Sequence, residues 1–508
     1  MKRTRNIIAL VLAVLMLFSL VGCGNNTANK NSDGPRTDVI IGIGAEGTSM
    51  DPHKCMNGDI SYNMIEGLTK LNENNEIVPC IAKSWEISPD ELEYTFTIDT
   101  DRKFANGDNV TAQDVVYSLK RADEEPTNQA IIFDTIESIE LVDETTVKIT
   151  LMEPSALLLA GLSEFKCGIV SERAVTEAGS EYDMNPAGSG TGPYDFVSWE
   201  SGVCVKMTAN PHYNAELAIK DVEFRFITEA NTGVISVEAG DIDLFLNPSY
   251  TDVVNLQNSE KVTVHKQQSY SVDFLGFNTM KEPFNIPEVR RAVAYGINHE
   301  ELITAAIGEG GATVANGFLP NFVFGYSDEL EKFERDPEMA KKLLADAGYP
   351  NGIELTITTT DGSRSKIVEY LQEALKDCNI TVNVEMTEWS KFVQDLMEGN
   401  VSSFIVGAGN SFPDAEFFLG QIFVSGGLGN VSAYSNPEVD ELLIAARMTN
   451  DTETRLANYK AAQEILMDEV PVIPLYFNDN YAIANPALQG FGMNLESNVR
   501  VWNLNWGE

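Results

Sequence analysis

Histidine is scarce in this chain. His53, His212, His265 and His299 are the only four in 508 residues, and each stands alone. A lone histidine reads as a surface or hydrogen-bonded core residue, so no metal-ligand cluster is visible. The six cysteines show no CxxC spacing, which argues against a zinc ribbon or a thioredoxin-like site. Cys55, Cys80, Cys167, Cys204 and Cys378 remain once Cys23 is set apart, an odd number that cannot all pair. Small buried thiols are the simplest reading, and a Cys55–Cys80 disulfide is the alternative. Positive charge is also scarce: 35 Lys and Arg against 76 Asp and Glu, a formal net charge of −41. A surface this acidic argues against nucleic acid and anionic lipid heads as partners. The phosphate loop GxxxxGK[ST] is absent, as are GxSxG and HExxH. No carboxylate pair stands out from the background of acids. The chain reads as a binder without a cofactor rather than as a catalyst.

Long apolar runs are absent too, with one exception. Lys2, Arg3 and Arg5 precede an apolar run from Ile7 to Val21. This is the layout of a secretory signal. At about 15 residues it is shorter than the ~20 a helix needs to cross a bilayer. The run ends in Leu20-Val21-Gly22-Cys23, which resembles the bacterial lipobox, where the cysteine is lipidated and becomes the first mature residue. Residues 24–38, "GNNTANKNSDGPRTD", are too polar to order themselves and read as a tether. The expected location is therefore extracytoplasmic, lipid-anchored to the outer face of the cytoplasmic membrane. Loss of residues 1–22 leaves 486 residues, enough for two or three domains, and lowers the charge by three to −44.

Along the body, "DVIIGI" opens a strand. "ELEYTFTID" (91–99) alternates Leu92, Tyr94, Phe96 and Ile98 with polar neighbours, a half-buried strand. Thr111 and Asp114 form a capping-box-like helix start. "ESIELVDETTVKITL" (137–151) reads as a hairpin turning near Asp143-Glu144. Gly188, Gly190 and Gly192 precede Pro193 and a strand, so they shape a turn rather than cradle a phosphate. Asp336 caps a helix with Pro337 in its first turn and Gly348 as its stop. Strand 353–360, helix 366–378 and strand 380–386 form a β-α-β unit, so part of the fold is α/β.

These pieces occur in a known order. "IVPCIAKSWEIS", "YTFTIDTDRKFANGDNVTAQDVVYSLKR" (94–121), "GTGPYDFVSWESG" (190–202), "MTANPHY", "FNTMKEPFNIPEVRRAVAYGIN" (277–298), "AKKLLADAGYPNG" and "VPVIPLYF" (470–477) form seven blocks in register. In these blocks the chain resembles the bacterial extracellular solute-binding proteins of family 5, the dipeptide-, oligopeptide- and nickel-binding components of ABC importers. The resemblance implies an α/β fold of the periplasmic-binding-protein type II, two lobes around a cleft, with a domain inserted in the N-terminal half. It implies lobe one from 38–55, 190–276 and 481–508, an inserted domain at 56–189, and lobe two at 277–480. It implies a monomer that takes a peptide or similar oligomeric solute and hands it to permease subunits, with the ATPase on a separate chain.

The resemblance also nominates site residues. Trp389 falls where peptide-binding relatives place a tryptophan on the pocket wall, and a flat ring tolerates varied side chains. In "GAGNSFPDAEFF" (407–418), relatives that hold a peptide's α-amino group carry an Asp where this chain has Ser411, with Asn410 before it. Asp414 aligns to a second acid suited to capping a helix. Tyr270 completes the candidate set. The absent ammonium anchor leaves a blocked or hydroxyl-rich ligand open beside a free-amino peptide. Oligosaccharide or metal-chelate binding, a surface sensor on the same fold, and a secreted hydrolase are the competing readings. Trp85, Tyr94 and Trp199 read as core.

Overall fold

Local sequence becomes architecture most plainly between residues 336 and 386. Asp336 accepts hydrogen bonds from the amides of Glu338 and Met339 and caps the helix Pro337–Asp346. Gly348 ends it with φ near +94°, a conformation glycine adopts without steric cost. The next strand, Ile353–Thr359, lies parallel to Ile380–Met386, and the helix Ser363–Ala374 crosses between them. The helix starts three residues earlier than the apolar pattern suggests, because the first turn is polar.

The computed structural model describes residues 35–507 except 55, 56, 73, 129, 361, 410, 411, 428 and 495. The signal-like run, the lipobox with Cys23, Cys55, Asn410 and Ser411 lie outside the described residues. In chain order the strands begin with β1 (Asp38–Ile43), then a small ribbon of β2 (Thr69–Leu71) and β3 (Ile77–Pro79). Next come β4 (Ala82–Ile87), β5 (Glu93–Ile98), β6 (Ile136–Asp143) and β7 (Thr146–Leu151), which make a separate antiparallel sheet in the order β4-β5-β7-β6. The expected hairpin is β6–β7. The capping box is present, with Thr111 and Asp114 bonded reciprocally at the start of the helix Ala112–Glu124.

The remaining strands build the main sheet. They are β8 (Tyr194–Glu200), β9 (Cys204–Ala209), β10 (Asp221–Phe226), β11 (Leu244–Leu246), β12 (Thr263–Phe277), β13 (Ala312–Val314), β14 (Ile353–Thr359), β15 (Ile380–Met386), β16 (Ser403–Ala408) and β17 (Val472–Ala484). A last ribbon joins β18 (Leu488–Gln489) to β19 (Asn505–Trp506). With β1, the main sheet runs β15-β14-β16-β12-β17-β11-β1-β10-β9-β8, and β13 adds to β17.

β12 and β17 are long because they belong to both halves of this sheet. Residues 263–268 pair with 479–484 beside β11, and residues 272–276 pair with 472–477 beside β16. Between these runs the register breaks at Gln268/Val272, where Ser269, Tyr270 and Ser271 oppose Asn478. The break falls before the lobe boundary that the sequence suggested at 276. Each half has its own apolar core, one around Ile41, Val205, Phe224 and Leu244, the other around Leu275, Val293, Ile357 and Leu371. Cys80, Cys167, Cys204 and Cys378 are buried free thiols. Trp85 and Trp199 are half-buried and Tyr94 fully so, each against a core.

His53 ties the separate sheet to the loop after β1. Its Nε2 is 3.0 Å from the Gly168 carbonyl and its Nδ1 2.7 Å from Arg121 Nη1. That pairing suits the neutral ring, with Nε2–H donating and Nδ1 accepting. Arg121 also grips buried Asp51. Burial lowers the His53 pKa from 6.5 to about 4. Between those values the unfolded chain binds a proton that the folded chain refuses. Stability therefore rises with pH through that window and is lost as pH falls from about 6.5 to about 4. The expected loss from this residue is about 3 kcal/mol. Urea unfolding of wild type and His53→Gln from pH 7 to pH 4 should show that part of the pH dependence vanish in the variant. Parallel profiles would contradict it.

Candidate functional site

Parallel strands end where helices begin, and in an open α/β sheet ligands sit outside those carboxyl ends. β14, β15 and β16 end at Thr359, Met386 and Ala408. The helices Ser363–Ala374, Trp389–Met397 and Ala415–Phe423 start a few residues later. In the other half, β1, β10 and β11 end at Ile43, Phe226 and Leu246, and helices start at Ala230 and Tyr250. β16 pairs its last residue, Ala408, with Val272, and β11 pairs its last, Leu246, with Ala482. Both sets of carboxyl ends therefore point toward the register break in β12. The cleft lies there.

A charged cluster occupies its floor. Asp273 sits inside the sheet with its side chain 5% exposed. Arg364, the second residue of its helix, donates from Nε and Nη2 to Asp273 Oδ1 at 3.0 and 2.8 Å. Asn478 Nδ2 donates to Asp273 Oδ2 and to Ser271 Oγ, each at 3.3 Å. Gly407 on β16 leaves room for this pair: a Cβ there would lie 2.6 Å from Arg364 Nη2 and 2.7 Å from Asp273 Oδ1. Arg364 keeps 27% of its side chain exposed. It presents a fixed guanidinium edge, the group best shaped for a planar carboxylate. Nearby, Lys266 pairs at 2.8 Å with fully buried Asp479, whose pKa burial raises against that pairing.

The residues nominated from sequence fall into three groups. Trp389 is 52% exposed at the first turn after β15, with Phe392 packed beneath it at 6.0 Å between ring centres. The amide of Thr387 bonds the Thr359 carbonyl, which sets the start of the Trp389 helix beside the start of the Arg364 helix. Tyr270 is 2% exposed, inside the register break, and its hydroxyl donates to the Asp414 carbonyl at 3.0 Å. It supports the start of the helix Ala415–Phe423 from behind. Asp414 caps the helix Ala415–Phe423 and receives Arg455 Nη2 at 2.8 Å on each oxygen. Its charge is spent inside the protein, as its capping position in the sequence suggested. Asn410 and Ser411 lie outside the described residues. Their described neighbours are Gly409, beside Ser271, and fully buried Phe412.

Arg364 and Asp273 were missed in the sequence, although each left a trace. "YSVDFLGF" is an apolar strand interrupted by one acid, and an arginine in a strand-to-helix connection stands out in a chain so poor in positive charge. Among the described residues no three His, Cys, Asp or Glu side chains could hold a metal together. No described helix is long and apolar enough to cross a membrane.

Comparison with known proteins identifies the family and the fold. Heme-binding protein A of Haemophilus influenzae is 29% identical over 449 residues, 82% of each chain. The unliganded open form of the periplasmic murein tripeptide-binding protein MppA superposes with a TM-score of 0.82 at 26% identity, covering 93% of this chain and 98% of that one. DppA from Helicobacter pylori in complex with the peptide STSA superposes at 0.76 and 27% identity, with the same coverage. These are periplasmic binding proteins with the type II fold expected from the sequence. The family model of bacterial extracellular solute-binding proteins, family 5, middle region, matches residues 76–430. The chain belongs to the bacterial extracellular solute-binding proteins of family 5.

Proposed function

We propose that this protein is a lipid-anchored extracytoplasmic receptor that captures a peptide or similar oligomeric solute in its cleft and delivers it to the permease of an ABC importer. The observation that carries the reading is the fixed guanidinium of Arg364 at the meeting of the two half-sheets, with Trp389 on a neighbouring helix start. A carboxylate on the solute pairs with Arg364 while an apolar group lies on the Trp389 ring. Ligand that touches both halves favours the closed form by its differential affinity for it. The greater likeness to an open unliganded relative than to a peptide complex supports an open state for this structure. Ser411 and Asn410 stand where an ammonium anchor is expected, so an N-blocked peptide is accepted as readily as a free one.

The chain from Gly24 onward contains every described residue and is the material for a thermal-shift screen. The panel is free-amino peptides, their N-acetylated forms, C-terminal amides, oligosaccharides and nickel chelates. A ligand at 100 times its Kd adds ~2.7 kcal/mol. Acetylation should leave the shift intact, and amidation of the C-terminus should reduce it. Arg364→Lys keeps the charge beside Asp273 but loses the two-pronged edge, and should weaken carboxylate ligands about 10-fold, ~1.4 kcal/mol. Stabilisation by amides or sugars alone, unchanged in Arg364→Lys, would contradict the carboxylate assignment.

The anchor is tested separately. In cells fed labelled palmitate, full-length protein should carry label and sediment with membranes, and Cys23→Ser should lose the label. Equal labelling of both would contradict lipidation at Cys23.

A further inference from the structure

A second cavity lies away from the cleft. It holds about 290 Å³ and is bounded by the loop after the helix Gly58–Met64, by Pro193 before β8 and Tyr213 after β9, and by the C-terminal segment around Trp502. The β8–β9 turn closes at the carboxyl-end edge of lobe one, where Trp199 and Gly202 bond Glu46 after β1. Pro193 and Tyr213 flank the opposite edge. The cavity is therefore at the base of the lobe, and the sheet stands between it and the cleft.

Its walls divide by chemistry. Tyr62 and Trp502 meet at 5.2 Å between ring centres, and Phe165 and Tyr213 complete an aromatic enclosure. Glu66, the acid in this wall, is already neutralised by Arg102 and accepts a hydrogen bond from Thr191. The Cys80 thiol rests against Glu66, and burial raises its pKa, so it is an inert thiol. Two cations stand at the mouth, Lys70 and Arg500. Lys70 has no ion-pair partner among the described residues. Arg500 bonds the Tyr62 hydroxyl and has Glu496 close by, so among the described residues Lys70 is the cation of this wall left without an ion pair.

An adjoining pocket of about 50 Å³ shares Tyr62, Lys70, Phe165 and Arg500 with the first and contains Glu164. Glu164 is 8% exposed, and the charged groups that face it are Glu496 and Lys166. Burial raises its pKa to about 8, so near neutral pH it is a proton donor.

We infer that this base cavity is a second ligand site, one that takes a small aromatic carboxylate with its ring among Tyr62, Phe165, Tyr213 and Trp502 and its carboxylate at Lys70 and Arg500, with Glu164 in the adjoining pocket. The volume sits at the low end of ligand pockets, ~300–1,000 Å³, which restricts the ligand to one or two rings. The site is separate from the cleft and can be filled whether or not the cleft is.

The test uses indole-3-acetate and 3-phenylpropionate as probes, with their primary amides as controls, on the chain from Gly24 onward. Calorimetry should show one site for each acid and at least 10-fold weaker binding of each amide. Lys70 is exposed, so Lys70→Ala should fold normally and weaken the acids about 10-fold, while Arg364→Lys should bind them as wild type does. Trp502→Phe should abolish the fluorescence change of 3-phenylpropionate binding, which places the ring at this wall. Raising pH from 7 to 9 should weaken binding as Glu164, faced by Glu496 and Lys166, loses its proton beside the carboxylate. No binding of either acid at millimolar concentration would overturn the inference. So would binding that survives Lys70→Ala or that falls with Arg364→Lys. The last result would move the probes to the cleft and leave the solute-receptor reading standing.

Discussion

Everything in this molecule hangs on two strands shared by two half-sheets. β12 and β17 cross from one apolar core to the other without leaving the sheet, and their ladder breaks at Gln268/Val272 and shifts again at Asp273/Phe274. A continuous ladder would make one rigid slab. Two independent domains on a linker would give no defined cleft. A broken ladder gives a fixed axis with local freedom, because the extra residues in β12 carry no regular pairing to lose. The carboxyl ends of both sets of parallel strands face this axis, so the loops able to touch a solute are those whose separation a rotation about it changes.

Buried charge holds those loops in place. Asp51 with Arg121 and His53, Asp273 with Arg364, and Asp414 with Arg455 each join an acid to a base from another part of the chain. Removing one partner of such a pair leaves an uncompensated charge, which costs more than the pair itself contributes. The pairs therefore act as placement devices. Of the three arginines, Arg364 keeps the largest exposed fraction, 27% against 21% for Arg121 and 9% for Arg455. Glu416, raised to about 8 by burial with Arg447 opposing, shares Arg447 with Glu153 just after β7.

Much of this was legible in the sequence, and the reason is local. Thr111 with Asp114, Asp336 with Pro337, the β6–β7 hairpin and the β14–β15 crossover depend on neighbours a few residues away, so pattern alone finds them. The family followed from seven blocks in order. The site was less legible, because its parts converge from distant positions. Asp273 and Arg364 are 91 residues apart, and nothing in either stretch names the other. Tyr270 is buried in the register break and bonds the Asp414 carbonyl, a partner 144 residues away that its own stretch does not name. Asp414 was correctly suspected as a cap because its neighbours are local. The start of the helix at Ser363 was misjudged because a polar first turn hides the period.

The most direct test of the account is the distance between the halves with and without ligand. Dyes placed at Val203→Cys in the β8–β9 turn and Met397→Cys at the end of the Trp389 helix, both exposed, report it by single-molecule energy transfer. The account predicts a longer distance in the free protein and a shorter one when a stabilising solute saturates the cleft. A distance that stays the same at saturation would contradict a moving axis at Gln268/Val272.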